Sequence, residues 1–241
     1  ITAFFAIVPK ISAVALIFRF CLDPFGNFYN EWSQIIFFLS ISSMFLGAIA
    51  AIAQSDIKRL LAYSSIGHVG YVLIALAAAN NEGVKSAALY MFIYMIMNIA
   101  VFAIILSLKK SNVYIKKIND LIGISKSNPV ISLSLAIIML SMAGIPPFIG
   151  FFGKFYVFIA AIESELYLLS ILGVLASVIS AYYYLRIIKV MYFDISNQDI
   201  TYDTSISFQS KIILIVLIFI ITFFVFYPSI LINLTSNIKI S

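Results

Sequence analysis

PVISLSLAIIMLSMAGIPPFIGFFGKFYVFIAAIE, residues 129–163, is a run of 35 residues with almost unbroken apolar character. As one straight helix it would rise ~52 Å, far more than the ~30 Å hydrocarbon core of a bilayer. Its middle reads Gly144-Ile145-Pro146-Pro147. Consecutive prolines remove two backbone donors and disfavour helix at the residue before them. The run is therefore either two spans joined by a tight turn or one span with a broken middle.

Six further apolar blocks surround it: 2–22, 33–53, 57–79, 86–108, 166–190 and 211–235. Each has the length of one membrane-spanning helix. Of the 241 residues, 63% are apolar and 10% charged, where soluble domains are roughly half apolar and a quarter charged. With a mean hydropathy of +1.10, this composition excludes a disordered chain and a soluble domain. The net charge of +5 does not indicate a nucleic-acid partner, because the basic residues punctuate apolar runs instead of clustering on a solvated face. The expected fold is an all-α polytopic membrane helix bundle of about seven transmembrane helices, one of them broken.

The charges arbitrate the central run. With a single broken crossing, Lys58, Arg59, Lys109, Lys110, Lys116, Lys117, Lys126, Arg186, Lys189 and Lys211 share one side, and Arg19, Lys85 and Lys239 the other. With two crossings, the split falls to eight against five. The positive-inside bias favours one broken crossing, with the chain starting on the cytoplasmic or matrix side. Two loops are long. In 109–128, Ile118, Leu121 and Ile122 share a face flanked by Lys116, Lys117 and Asp120, which reads as a short interfacial helix or a solvated linker. Segment 191–210, with Asn197, Gln198, Asp199 and Asp203, reads as a solvated linker without chemistry.

One cysteine, Cys21, and one histidine, His68, exclude an internal disulfide, a cysteine-held iron–sulfur cluster and a His-cluster metal site. No nucleotide-binding glycine motif is present. Ile1 is not a methionine and no charged leader opens the chain, so we expect a piece of a longer protein rather than a signal peptide.

Three ionisable residues sit where none is cheap. Lys10 lies mid-block behind Pro9, and His68 is central in 57–79. Lys154 is nine residues from the end of its run, ~13 Å of helical rise. A lysine at the bilayer centre costs ~2.5–3.5 kcal/mol on insertion scales, so such residues mark ion or proton paths more often than structural pairs. Polar neighbours repeat at helical spacing: Ser64, His68 and Tyr71; Tyr90, Tyr94 and Asn98; Ser177, Ser180 and Tyr184. Each stripe alone reads equally as interhelical hydrogen-bond glue. Together with the lysines and the histidine they read as the wall of a hydrated path. No acid joins them, because all ten carboxylates lie in loops or at block ends. Gly144, Pro146 and Pro147 make a helix break of the kind transporters use at ion sites, with a plain proline kink as the alternative.

These same residues carry a resemblance. DIKRLLAYSSIGHVGYVLIAL, from Asp56 to Leu76, resembles the antiporter-like subunits of respiratory complex I and of Mrp cation/proton antiporters, and GIPPFIGFFGKFYVF, from Gly144 to Phe158, is similar to the N-type branch of the complex I subunits. AYYYLRIIKVMYF, residues 181–193, and YPSIL, residues 227–231, are most similar to the N-type branch of the complex I subunits. The resemblance implies an inverted-repeat fold of which this chain is the C-terminal half, the N-terminal half being absent. It implies that Lys10, His68 and Lys154 are proton-translocating groups, with Lys154 toward the exit side. It adds Lys58, whose other reading is a positive-inside anchor.

The resemblance further implies redox-driven proton translocation in NADH:quinone oxidoreductase, in a bacterial inner membrane or a mitochondrial one. The partners would be neighbouring antiporter-like and other membrane subunits, the lipid bilayer and protons, with no nucleic acid. NAD, FMN, iron–sulfur clusters and quinone would belong to other subunits, with no cofactor or metal in this chain. The alternatives are an Mrp-type Na+/H+ antiporter subunit and a non-pumping structural subunit.

Overall fold

The computed structural model describes residues 2–110, 113–195, 202–204 and 208–226. Helices dominate: α1 (Thr2–Leu22), α2 (Tyr29–Ile52), α3 (Ile57–Ala77), α4 (Asn81–Ile105), the single turn α5 (Ile124–Ser127), α6 (Pro129–Ala143), α7 (Ile149–Glu163), α8 (Tyr167–Tyr192) and α9 (Phe208–Phe223). Of these, α1, α2, α3, α4 and α8 are long and apolar enough to cross a membrane. The final apolar block is described only through Phe226. Its remainder, and the YPSIL segment, lie outside the described residues.

Local signals explain most boundaries. Asp56 caps α3, its carboxylate accepting the Lys58 and Arg59 amides at 2.8 and 3.0 Å. Asn80 caps α4 in the same way, through the Gly83 amide at 2.6 Å. This cap starts the helix at Asn81, five residues before the apolar block that sequence alone suggests. Helix α2 likewise begins at Tyr29, ahead of its apolar block, and the Tyr29 hydroxyl donates to the Ala77 carbonyl at 2.9 Å.

The run 129–163 breaks where its glycine and prolines stand. Helix α6 ends in a Schellman turn. Gly144 is left-handed at φ +85°, its amide bonds the Ser141 carbonyl, and the Ile145 amide bonds the Leu140 carbonyl. The Pro146–Pro147 peptide is cis. Helix α7 then starts alongside the end of α6. The Gly150 amide donates to Ser141 Oγ at 3.1 Å, and a Cβ on Gly150 would land on the Ser141 carbonyl oxygen. Helix α8 runs back past both pieces. Gly173, near its start, packs on Phe158 of α7, and the Met191 carbonyl, near its end, accepts from Ser125 just before α6. The two short helices thus make one broken traverse antiparallel to α8.

The connections group accordingly. On one face, the Ile57 amide bonds the Lys116 carbonyl and the Ile118 amide bonds the Ser55 carbonyl, while Arg186 donates to the Ile52 and Gln54 carbonyls. On the other face, Asn80 Nδ2 donates to Ser164 Oγ, which donates to the Ala78 carbonyl.

The two long loops correct the sequence reading. Strands β1 (Leu108–Lys110), β2 (Val113–Tyr114) and β3 (Tyr202–Thr204) form a small antiparallel sheet in the order β2-β1-β3. Residues Ile118–Leu121 form a short 3-10 helix instead of a solvated linker, and Ile118 and Leu121 are buried against the bundle. The Asp120 carboxylate holds the turn by accepting the Lys116 and Lys117 amides. Tyr202, in the segment read as a plain linker, is buried and donates its hydroxyl to the Asp120 and Ile122 carbonyls. Asn197, Gln198 and Asp199 lie outside the described residues. No apolar periodicity announces this sheet, because its register is set by backbone partners far apart in sequence.

The apolar interior divides into two clusters. One gathers Leu60, Ile104, Leu108, Ile118 and Met191 on the loop-sheet side. The other gathers Val72, Ile74, Leu76, Val157 and Leu169 on the opposite side. His68 joins the two, pairing with Tyr184 of the first cluster and Tyr90 of the second. Helices α3 and α4 are the most enclosed spans, with 78% and 72% of their apolar windows buried. Helix α1 turns Phe4, Phe5 and Leu16 outward, as expected of a surface in contact with lipid or with further protein.

Candidate functional site

Lys154 is the most confined charge-bearing residue. It projects from the second turn of α7 and is 5% exposed. Its Nζ donates to the Ala143 carbonyl at 2.9 Å and to Ser177 Oγ at 2.8 Å. It also stands 5.0 Å from the centre of the Tyr71 ring, within cation–π range. The Ala143 carbonyl is available because α6 stops there, and the negative end of that helix dipole faces the lysine. Gly144 makes room: a Cβ at that position would sit 3.0–3.3 Å from the Lys154 side chain. Pro146 and Pro147 are exposed on the outer side of the break. The prolines interrupt the helix, and Ala143 and Gly144 serve the lysine.

His68, also buried, is held between two tyrosines. Its Nδ1 pairs with the Tyr90 hydroxyl at 2.7 Å and its Nε2 with the Tyr184 hydroxyl at 3.0 Å. Tyr184 also bonds Ser64. The rings of Tyr94 and Tyr71 lie 5.0 and 6.3 Å from the imidazole. A cavity lined by Ser64, His68, Tyr71, Ser180 and Tyr183 has a volume of about 10 Å³, room for one water at most. Its lining reaches Ser180, whose hydroxyl donates to the Ser177 carbonyl, so the cavity lies between the histidine cluster and the residues around Lys154.

Lys10 is half-buried, and its Nζ donates to Ser65 Oγ at 2.6 Å. Asn98 is buried but bonds its own helix, at the Tyr94 carbonyl. Lys58 stands apart from this cluster. It lies in the first turn of α3, ten residues and ~15 Å of rise from His68, and no side-chain hydrogen bond joins it to the cluster among the described residues. The geometry fits its reading as an anchor at the helix start. Among the described residues the ion pairs are Arg19–Asp23, Lys85–Glu82 and Lys189–Asp194, all near helix ends. Lys10 and Lys154 are met by hydroxyl, carbonyl and ring groups instead.

The structure therefore brings together His68, Ser64, Tyr71, Tyr90, Tyr94, Ser177, Ser180, Tyr184 and Lys154, while Lys10 bonds Ser65, whose own hydroxyl donates to the Ala62 carbonyl of its helix. Ser65, Tyr183 and the Ala143 carbonyl are the additions. Ser65 lies three residues before His68, so helical spacing was enough to find it. The carbonyl has no side-chain signature, and only the glycine of the break hints at it.

The sequence matches the family model described as "NADH:quinone oxidoreductase/Mrp antiporter, TM" over residues 1–180. The chain belongs to that family. It is 49% identical over its full length to NADH-quinone oxidoreductase subunit N of Pelagibacter ubique, covering 50% of that protein. The chain spans about half the length of the curated relatives it matches. Among solved structures, it superposes on a chain of respiratory complex I from Thermus thermophilus with bound Aureothin at a TM-score of 0.73 and 26% identity, covering 83% of this chain and 45% of that one. A chain of the Mrp complex from Dietzia sp. DQ12-45-1b matches at a TM-score of 0.82 and 18% identity, over 97% and 51% of the two chains, which shows a shared fold. In this antiporter-like family fold, the described helices supply a string of groups that both give and take protons (Ser, Tyr, His) between two amines.

Proposed function

We propose that this chain forms a proton-translocating part of a subunit N-type membrane protein of NADH:quinone oxidoreductase. The observation that carries the reading is the array Lys10–Ser65, Tyr90–His68–Tyr184–Ser64 and Ser177–Lys154, in which Lys10 is half-buried and His68 and Lys154 are buried. Its lysines lack carboxylate partners among the described residues. A permanent charge there is costly, and an amine that gains and loses its proton meets that cost for only part of each cycle. A change of charge elsewhere in the assembly biases that gain or loss, and coupling is then electrostatic and reciprocal.

Lys154 and Lys10 hold protons reversibly in this reading, and His68 with its two tyrosines and a water connects them. Flavin, iron–sulfur clusters, NAD and quinone are assigned to other subunits. This chain has one cysteine and one histidine, a donor set that does not fit a cluster. The membrane is a bacterial inner membrane, with a mitochondrial inner membrane as the alternative, and the partners are neighbouring membrane subunits. The 49% identity to subunit N of Pelagibacter ubique favours this reading over an Mrp antiporter subunit, whose solved example is 18% identical.

The test is Lys154→Met in the complete assembled enzyme in its native membrane. The expected result is loss of the NADH-driven proton gradient, with NADH oxidation by an artificial electron acceptor retained. An unchanged ratio of protons moved to electrons transferred would overturn the role of Lys154 and leave the structural-subunit reading.

A further inference from the structure

One buried polar group stands without a partner beside the Lys10 branch. The Tyr94 hydroxyl has no hydrogen bond among the described residues, although it is shielded from solvent. Its ring lies against His68, 5.0 Å between centroids, and its oxygen faces the Ser65 and Asn98 side chains but forms no hydrogen bond of acceptable geometry among the described residues. A hydroxyl buried in this way is costly unless another arrangement satisfies it. The neighbouring serine supplies one. Ser65 Oγ accepts from Lys10 Nζ at 2.6 Å and gives its own proton back to the Ala62 carbonyl, also at 2.6 Å. That carbonyl is a dead end, because a main-chain carbonyl has no proton to pass on.

We propose that the Ser65 hydroxyl is a two-position gate on the Lys10 branch and that Tyr94 Oη is its open-position acceptor. The inference rests on the proton-translocation reading above. In the closed position, the one in this structure, Ser65 donates to Ala62 and Lys10 keeps its proton. In the open position, Ser65 rotates about its Cα–Cβ bond and donates to Tyr94. One N–H bond of the Lys10 ammonium then breaks as an O–H bond forms on Ser65. The former Ser65 proton passes to Tyr94 Oη, and the Tyr94 phenolic proton passes to a water molecule that links it to the histidine cluster. Lys10 ends neutral, Ser65 and Tyr94 end as they began, and the water carries the proton. Tyr90 and Tyr184 already occupy both nitrogens of His68, so Tyr94 reaches the histidine cluster through water and not by a direct bond to the imidazole.

The experiment uses the complete enzyme in its membrane with Tyr94→Phe, Ser65→Ala, the double variant and Lys154→Met. Phenylalanine keeps the ring packing and removes only the unpartnered hydroxyl. Tyr94→Phe is expected to slow NADH-driven proton translocation about tenfold or more, as for loss of a positioned proton-transfer group, while the melting temperature of the assembly stays level or rises. Ser65→Ala is expected to do the same to translocation, and the double variant to be no slower than either single one, because the two residues act in series. Wild-type translocation in Tyr94→Phe, an additive double variant, or a fall in melting temperature that tracks the lost activity would each overturn the gate. Lys154→Met separates the two levels: if it loses translocation while Tyr94→Phe does not, only the gate fails, and if neither loses it the functional reading fails as well.

Discussion

At the scale of single residues, the site contrasts hydroxyls that are paired with one that is not. Tyr184 Oη serves both Ser64 and His68 Nε2. Removing it leaves a buried ring nitrogen without a partner, and Tyr184→Phe should destabilise the assembly by ~1–3 kcal/mol, read as a lowered melting temperature. Tyr94→Phe, on α4, should cost nothing on the same assay. Gly144 is the other telling residue. Alanine there meets a φ of +85° and crowds the Lys154 methylenes. We expect Gly144→Ala to cost ~1–2 kcal/mol from the left-handed backbone alone and to lower proton translocation several-fold, because the amine is pushed off the Ala143 carbonyl. Retention of full translocation by a folded Gly144→Ala enzyme would show that this carbonyl is dispensable.

At the scale of elements, the broken traverse depends on how closely α7 approaches the end of α6. Gly150→Ala puts a methyl group into the Ser141 main chain, where neither backbone can yield cheaply. A loss of ~1–3 kcal/mol is expected from overpacking, with a matching drop in melting temperature. The loop sheet offers a pH-dependent test. Burial first, and the nearby Asp120 charge second, push the Tyr202 phenol up to about 12. Its neutral form donates to the Asp120 and Ile122 carbonyls, an interaction expected to contribute ~0.5–1.5 kcal/mol. The folded state holds this proton more tightly than an unfolded chain, whose phenol titrates near 10. The stabilisation is therefore fully present below pH ~10 and lost as pH rises toward 12. Melting temperatures of wild type and Tyr202→Phe should differ by a constant amount below pH ~10 and converge above it. A gap that widens instead would mean that the hydroxyl is not the donor.

At the scale of the whole molecule, the basic loops gather on one face and the loops containing Asn80 and Ser164 on the other. The positive-inside bias makes the first face cytoplasmic or matrix-facing. Val113, in β2, and Glu165, between α7 and α8, are both exposed and mark the two faces. Cysteines placed singly at these positions should react with a membrane-impermeant thiol reagent from opposite sides, Val113→Cys from the cytoplasmic or matrix side. Labelling of both from one side would mean that the central run crosses twice, contrary to the path of α8. Native Cys21 is buried and should contribute little background.

Much of the outline was legible in the residues themselves. Apolar runs of spanning length, a Gly-Ile-Pro-Pro interruption and lone amines inside those runs are consequences of bilayer thickness, proline chemistry and the cost of burying charge. They act over a few turns of helix, so they can be read along the chain. The grouping of Lys154, His68 and the polar stripes on α3, α4 and α8 was legible for the same reason, since helical spacing places those side chains on one face each. What needed the tertiary structure was every relation between segments far apart in sequence. The Ala143 carbonyl meets Lys154 only because α6 ends beside α7. Ser65 meets Lys10 across fifty-five residues, and β1 finds β3 across a gap of more than ninety. Main-chain carbonyls and backbone registers carry no residue identity. Their partners are chosen by which surfaces pack, and that choice is made by the folded molecule as a whole.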